Sequence, residues 1–524
     1  MTRSVEILDT TLRDGAQAEG ISFTVEDKLS IINILSSLGI HIIECGNPYS
    51  NPKDRELFER LEDVHCSSSL AAFGSTRKKY SSAEEDKAVN ALLTSGCRAV
   101  CVVGKTSLSQ VRTVLETDGE ENLRMIYDSL SLLKERGHKV YFDCEHFFDG
   151  YKEDRIYSMK ALECAVSAGA DCLVLCDTNG SSLTNEVYDI VKHVVTTFPE
   201  TMIGVHFHND LGLSTANTLT SVSAGARHIQ GTLLGFGERC GNASLAEIIP
   251  TLTYKMGYDT IPVSSIQNLC DYAKAVARVC ETEINRSSPY IGEAAFSHKG
   301  GMHIDGVLKN TSAFEHISPE MVGNRRNLLL SEVSGKGAVL EKAGKFISFD
   351  GKNDEKAAKV LYAIKEKELS GYQYENAEAS FELLVKNLFG MVKEYFTVEL
   401  YRVMGEKTVG AEKNIASAMV KVNVGGNTEF AAAEGNGPVN ALDGALRRGL
   451  EVFFPSLKGL RLTDYRVRVV NPDGATASTV RVNLTSQSDK IGSFTTLGVS
   501  TDVIDASFNA LYDSYIYYLS KVEE

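Results

Sequence analysis

Two histidines stand two residues apart in HFHND (206–210), at the end of an apolar run. In an extended strand, residues i and i+2 point the same way, so His206 and His208 share one face. Neutral imidazoles so placed suit a divalent metal ion, although such a pair alone also fits a hydrogen-bonded strand end. A second motif, TLRDG (11–15), sets a carboxylate, Asp14, beside a permanent cation, Arg13. A third, GFGERCGN (235–242), offers the amide oxygen of Asn242 among Gly235, Gly237 and Gly241, which permit tight turns. Its G-x-G-x-x-x-G spacing is one residue too long for a dinucleotide fingerprint, and it follows the last apolar run rather than the first. Two imidazoles, a carboxylate and an amide oxygen leave positions open on a six-coordinate Mg²⁺ or Mn²⁺, and the histidines also admit Zn²⁺ or Co²⁺. A 2-oxo acid can fill two of these positions through its carboxylate and keto oxygens. The ion then polarises the keto group. Arg13 can stabilise the alkoxide formed when a carbon nucleophile attacks.

These motifs lie far apart in the chain, so the fold must gather them. Residues 4–275 alternate short apolar runs with amphipathic stretches. The runs are VEILD (5–9), IHIIEC (40–45), CSSSLAAF (66–73), RAVCVVG (98–104), KVYFDCE (139–145), DCLVLCDT (171–178), IGVHFHND (203–210) and RHIQGTLL (227–234). They are rich in Val, Ile and Leu, as strands covered on both faces should be. Helical patterns such as residues 25–39 and 156–170 fall between them, each with a glycine suited to a helix C-terminus. Eight such units over roughly 270 residues predict an α/β fold, a (β/α)₈ TIM barrel, with a doubly wound open sheet as the alternative. The strand ends carry Arg13 and Asp14, Glu44, Lys105, Glu145, Asp177 and Thr178, His206 and His208, and Glu238. A ring of polar groups fits one barrel mouth better than one crevice at a switch point.

The expected domains are a catalytic barrel (1–279), helical linker subdomains (280–385) and a C-terminal regulatory domain (386–524). The last holds two similar blocks, each with strands followed by one helix: 395–453 and 465–519. They predict a duplicated α+β domain. A formal net charge of −15 disfavours nucleic acid or an anionic membrane as partner. No apolar run reaches transmembrane length, and MTRSVEILDTTLRDG lacks the apolar core of a secretory signal. The 11 cysteines are scattered without a Cys-x-x-Cys pair, which predicts buried, reduced thiols in a cytoplasmic protein.

TLRDG, HFHND and GERCGN together resemble the metal-dependent acyl-CoA condensing enzymes, the 2-isopropylmalate, homocitrate and citramalate synthases. SNPKD (50–54), AFGSTRKK (72–79), DCEHFFDGYK (143–152) and LCDTNG (175–180) resemble the citramalate synthase branch. The resemblance covers nearly the whole chain. It implies one divalent metal ion on Asp14, His206 and His208, with Asn242 as a further ligand. It places Arg13 beside the substrate carbonyl, Glu145 near the reacting carbons and the Thr178 hydroxyl at the pocket wall. His303, in GGMHIDGVLKN, matches a histidine that assists proton removal from the acetyl methyl, and Asp305 on the same segment is expected to bind substrate. In the family that segment reaches the partner subunit, which implies a homodimer. Without the resemblance, His303 reads as a helix-surface histidine.

The implied reaction condenses acetyl-CoA with pyruvate and hydrolyses the thioester, giving (R)-citramalate, an entry to isoleucine biosynthesis through 2-oxobutanoate. 2-Isopropylmalate synthesis and then homocitrate synthesis are the alternatives. The terminal domain resembles the family's dimer and effector domain, with isoleucine as the expected effector. An amino-acid sensor with an inactive barrel would have lost a metal or proton-transfer residue, yet Arg13, Asp14, Glu145, His206, His208 and His303 are all present. The chain departs from the family at Phe314, where relatives carry Tyr, and at Ser181, where they carry Gly. It also lacks the branch's tryptophan after the second strand, where ECGNPYS (44–50) stands.

Overall fold

The structure, a computed structural model, describes residues 3–329, 336–350, 354–406 and 415–523. It forms two compact units, Met1–Phe296 with Ile317–Arg326, and Ser297–His316 with Asn327–Glu524.

The first unit is a closed parallel barrel of eight strands in sequence order. They are β1 (Glu6–Asp9), β2 (Ile42–Gly46), β3 (Ser69–Ser75), β4 (Ala99–Lys105), β5 (Lys139–Glu145), β6 (Cys172–Asp177), β7 (Met202–Phe207) and β8 (His228–Gly231). Each expected apolar run supplies one strand, and β8 closes on β1. Helices between the strands begin and end where local chemistry dictates. The helix Val25–Leu38 starts at a Thr24–Asp27 capping box and stops at Gly39, which takes a left-handed conformation. Apolar side chains from alternate positions fill the lumen, among them Leu8, Cys101, Tyr141, Cys172 and Val174. Below them Glu6 accepts hydrogen bonds from Tyr141 (2.9 Å) and Lys139 (2.7 Å) and pairs with His228 (2.9 Å). The barrel is therefore a packed core, and its C-terminal mouth is where polar groups collect. Cys45, Cys101, Cys144 and Cys176 are buried, and all 11 cysteines are unpaired.

The second unit begins with a parallel pair, β9 (Ser297–His298) and β10 (Asn327–Leu328). This pair was not expected in the helical stretch; two residues are too few to show a strand period. Helices Gly301–Lys309, Lys336–Ala343, Glu355–Leu369 and Glu378–Leu388 belong to the same unit. Two antiparallel sheets follow. β11 (Thr397–Glu406), β12 (Ile415–Val424) and β13 (Asn427–Gly435) precede the helix Pro438–Glu451. β14 (Arg461–Val469), β15 (Val480–Ser488) and β16 (Gly492–Ser500) precede the helix Val503–Val522. The duplication read from the sequence is thus a repeated strand–strand–strand–helix unit. Both helices bury Ala and Leu faces in one shared core with Val420, Val422, Val482 and Leu484. The helix Glu378–Leu388 joins the second repeat, because Ser380 bonds Asp513 (2.8 Å) and the Leu497 amide (3.0 Å). The expected boundary at 386 falls inside this helix. Among the described residues, no helix is long and apolar enough to cross a membrane.

Candidate metal centre at the barrel mouth

The chain leaves β1 through a tight turn in which the Arg13, Asp14 and Gly15 amides all approach the Thr10 carbonyl (2.9–3.1 Å). That turn aims the buried Asp14 carboxylate across the mouth toward β7. His206 lies in β7, and His208, just past it, bridges to Asn242. The segment 235–242 folds back on itself, with the Asn242 amide donating to the Gly235 carbonyl at 3.0 Å. Gly241 makes this possible: its φ is +91°, and a Cβ there would meet the Gly235 carbonyl oxygen at 2.2 Å.

Side chains from two distant parts of the sequence converge as a result. Asp14 Oδ2 lies 3.0 Å from His206 Nε2 and 3.8 Å from His208 Nε2. Ligand atoms of all three fall within 4.8 Å of one another. Donors about 2.1 Å from a shared ion and at right angles are about 3 Å apart, so the spacing fits a small divalent cation. His206 Nδ1 sits 2.9 Å from the Gln230 carboxamide oxygen, whose nitrogen donates to Asp143 at 2.9 Å. That relay keeps a proton on His206 Nδ1, and against the opposing effect of burial the Asp14 carboxylate raises His206 by holding a second proton on Nε2, the proton whose place a divalent ion would take. The buried His208 Nδ1 has no hydrogen-bond partner.

The electrostatics agree. Burial opposes ionisation of Asp14, yet the Arg13 cation and the His206 contact hold its carboxyl well below the usual range. Burial and the neighbouring His206 push His208 down to about 4, so its imidazole is neutral, with one ring nitrogen free to act as a ligand. Arg13 donates to Glu44 at 2.6 Å, lies 3.6 Å from Asp14 and covers the Phe73 ring at 4.1 Å. This fixes its guanidinium at the mouth. A second group, Glu44, Cys101 and Asp143, also converges. Burial pushes the Cys101 thiol well up, and Arg13 already neutralises Glu44, so this group holds a guanidinium rather than an ion.

The other expected residues are more dispersed. Asn242 directs its Nδ2 to Asp14 Oδ2 (2.7 Å), while its Oδ1 is buried without a partner. A half-turn of the carboxamide exchanges the two and offers the oxygen. Glu145, at the end of β5, pairs with Lys105 of β4 at 2.7 Å. The Thr178 hydroxyl accepts the His146 amide at 2.9 Å. His303 and Asp305 belong to the second unit. There His303 is exposed and stacks on Phe314, with ring centroids 4.3 Å apart, and Asp305 pairs with Lys309. The residues that sequence reasoning missed are Gln230 and Asp143, both polar and both inside buried strands. Arg239, which grips Asp210 through two bonds (2.7 and 2.9 Å) and the Thr178 carbonyl (2.8 Å), was missed as well.

Three family models match successive parts of this chain: HMGL-like over residues 4–276, homocitrate synthase post-HMGL domain-like over 290–369, and LeuA allosteric (dimerisation) domain over 375–519. The (R)-citramalate synthase of Aquifex aeolicus is 45% identical over 100% of this chain and 99% of its own length. That of Geobacter sulfurreducens is 45% identical over 99% of this chain and 98% of its own. The 2-isopropylmalate synthase of Pyrococcus furiosus, matched over 97% of this chain and 98% of its own length, is 30% identical. The chain belongs to the citramalate synthase family. It is an acyltransferase-type condensing enzyme, as are the other citramalate synthases it matches from end to end. In this family member, Gln230→Leu should weaken divalent-metal affinity about 10–100-fold by freeing the His206 ring. Titration calorimetry with Mn²⁺ measures it; unchanged affinity would remove Gln230 from the site.

Proposed function

We propose that this enzyme condenses acetyl-CoA with pyruvate and releases CoA, forming (R)-citramalate. The observation that carries the reading is the Asp14–His206–His208 cluster, ordered by Gln230 and flanked by the fixed guanidinium of Arg13. A divalent ion, Mg²⁺ or Mn²⁺ by the oxygen preference of a 2-oxo acid, would be held by these three side chains with Asn242, and would polarise the keto group. Arg13 holds a positive charge where the keto oxygen becomes an alkoxide. Glu145 and His303 handle the proton: one C–H bond of the acetyl methyl breaks, and its carbon bonds to C2 of pyruvate. The alkoxide takes a proton, and water then cleaves the thioester to a carboxylate and the CoA thiol. Thr178 and Asp305 complete substrate binding. His303 serves the neighbouring subunit's barrel in a homodimer, a reading supported by the match to the LeuA dimerisation domain.

The same match, over residues 375–519, supports a C-terminal regulatory domain, which we take as 386–524 and in which we propose isoleucine as the end product that binds. We take the catalytic domain as 1–279 and the linker as 280–385. Unpaired cysteines throughout support a cytoplasmic enzyme, which fractionation would test. The discriminating assay measures CoA release with pyruvate, 2-oxoisovalerate and 2-oxoglutarate, each with Mg²⁺, Mn²⁺, Zn²⁺ and Co²⁺. Pyruvate should be preferred at least about 10-fold in kcat/KM, the scale set by a few methylenes in a pocket. Preference for 2-oxoisovalerate would make the enzyme a 2-isopropylmalate synthase, and for 2-oxoglutarate a homocitrate synthase. In the same assay isoleucine should inhibit more than leucine. Light scattering that finds only monomers would overturn the shared-subunit role of His303.

A further inference from the structure

The second unit contains a cavity of about 150 Å³ that the reaction does not use, walled by Lys299, Tyr372, Gln373, Glu375 and Arg481. Its walls come from the loop after the helix Glu355–Leu369 and from the sheet β14–β15–β16. Gly371 turns that loop at a φ of +98°, and a Cβ there would meet Val470 at 3.2 Å, so the loop hugs the sheet closely.

Arg481, on β15, is only 9% exposed. Among the described residues its guanidinium has no ion pair and no side-chain hydrogen bond. Its register partner across the ladder is Arg468, a like charge. Burial and then Arg468 hold the Arg481 guanidinium below its ordinary value, against a weaker opposing attraction from Glu375. Glu375 forms no ion pair with Arg481 and is engaged elsewhere, taking Lys299 on Oε1 (2.5 Å) and Gln373 on Oε2 (3.1 Å). Leaving a buried guanidinium unpaired is costly, and its planar fork is shaped for a carboxylate.

We propose that this cavity is a separate binding site for a small carboxylic acid, with Arg481 as its anchor. Glu368 also lines the wall, and its negative charge disfavours a dianion. The chemical class is therefore a small monocarboxylic acid; the volume excludes a nucleotide or CoA. Lys299 directly follows β9 and precedes the helix Gly301–Lys309 that bears His303. A ligand here touches the segment that leads into that helix, so the site is placed to influence it.

Titration calorimetry on the full-length enzyme with L-lactate, L-alanine and inorganic phosphate tests the site. Either acid should bind the wild type at least tenfold more tightly than Arg481→Gln, with Arg481→Lys intermediate. Without ligand, Arg481→Gln should melt no lower than the wild type, because it removes an unpaired charge; a purely structural arginine would lower it. Equal affinities in wild type and Arg481→Gln would overturn the proposal, as would phosphate binding more tightly than both acids. Crystals of the wild type soaked in each acid ask the same question without a variant. Density against the Arg481 guanidinium is expected, and an empty cavity with both acids would refute the site.

Discussion

Asp14→Asn should lower metal-dependent CoA release by at least about 10³-fold, or about 4 kcal/mol of transition-state stabilisation. The substitution keeps the side chain's shape and removes its charge. That charge is secure in the native protein, since Arg13 and His206 hold the carboxyl ionised despite its burial. Hard ions such as Mg²⁺ and Mn²⁺ depend on anionic oxygen, and two neutral imidazoles alone bind them poorly. Arg13 keeps its bond to Glu44 in the variant, so the barrel should remain folded. The decisive comparison couples thiol release with pyruvate, metal content by elemental analysis and circular dichroism. Loss of metal and turnover with an intact spectrum is the expected outcome. Full turnover with full metal content would end the assignment of this centre.

The barrel was legible because eight Val-, Ile- and Leu-rich runs recur with helical patterns between them. Its ends were less so. The run read as 227–234 continues past β8, which stops at Gly231. Thr232 and Leu233 are apolar-run residues by sequence, but their amides turn to the Ala243 carbonyl and the Thr11 hydroxyl at the mouth. Periodicity does not distinguish a strand's last residue from the loop that caps it. The meeting of Asp14, His206 and His208 was legible for a different reason: strands one, seven and eight are neighbours in a closed ring, so their end residues must meet. What supports the cluster was not. Asp143 in KVYFDCE and Gln230 in RHIQG are polar residues inside apolar strands, and that burial was the available signal. Which polar group each would face depends on the barrel's closure. The register pairs His206 with Gln230 across β7 and β8, and Lys105 with Glu145 across β4 and β5. The Asn242 carboxamide was read for its oxygen, yet its nitrogen faces Asp14, an orientation that only the local hydrogen bonds decide.

Arg13→Met should both inactivate the enzyme and destabilise it, and a second substitution should separate the two effects. Glu44 is fully buried, with one oxygen on Arg13 at 2.6 Å and the other without a partner. Removing the guanidinium strands that carboxylate in a dry interior, at about 3–5 kcal/mol. Asp143 suffers too: burial and Glu44 push it up to about 7, and Arg13 is the charge that opposes them. Adding Glu44→Gln removes the stranded charge. An imperfectly bonded neutral amide costs about 1–3 kcal/mol, so the double variant should recover part of the lost stability. Turnover should not return, because the cation proposed to face the keto oxygen is still missing. A loss of at least about 100-fold in kcat is expected in both variants, the scale of one removed oxyanion donor. Urea unfolding followed alongside CoA release measures the two quantities independently. Restored turnover in the double variant would mean that Arg13 serves only to neutralise Glu44. An Arg13→Met enzyme as stable as the parent would mean that the pair is not desolvated as its geometry implies. The expected division, stability partly regained and catalysis not, identifies a buried ion pair retained for its chemistry, since such pairs add little net stability of their own.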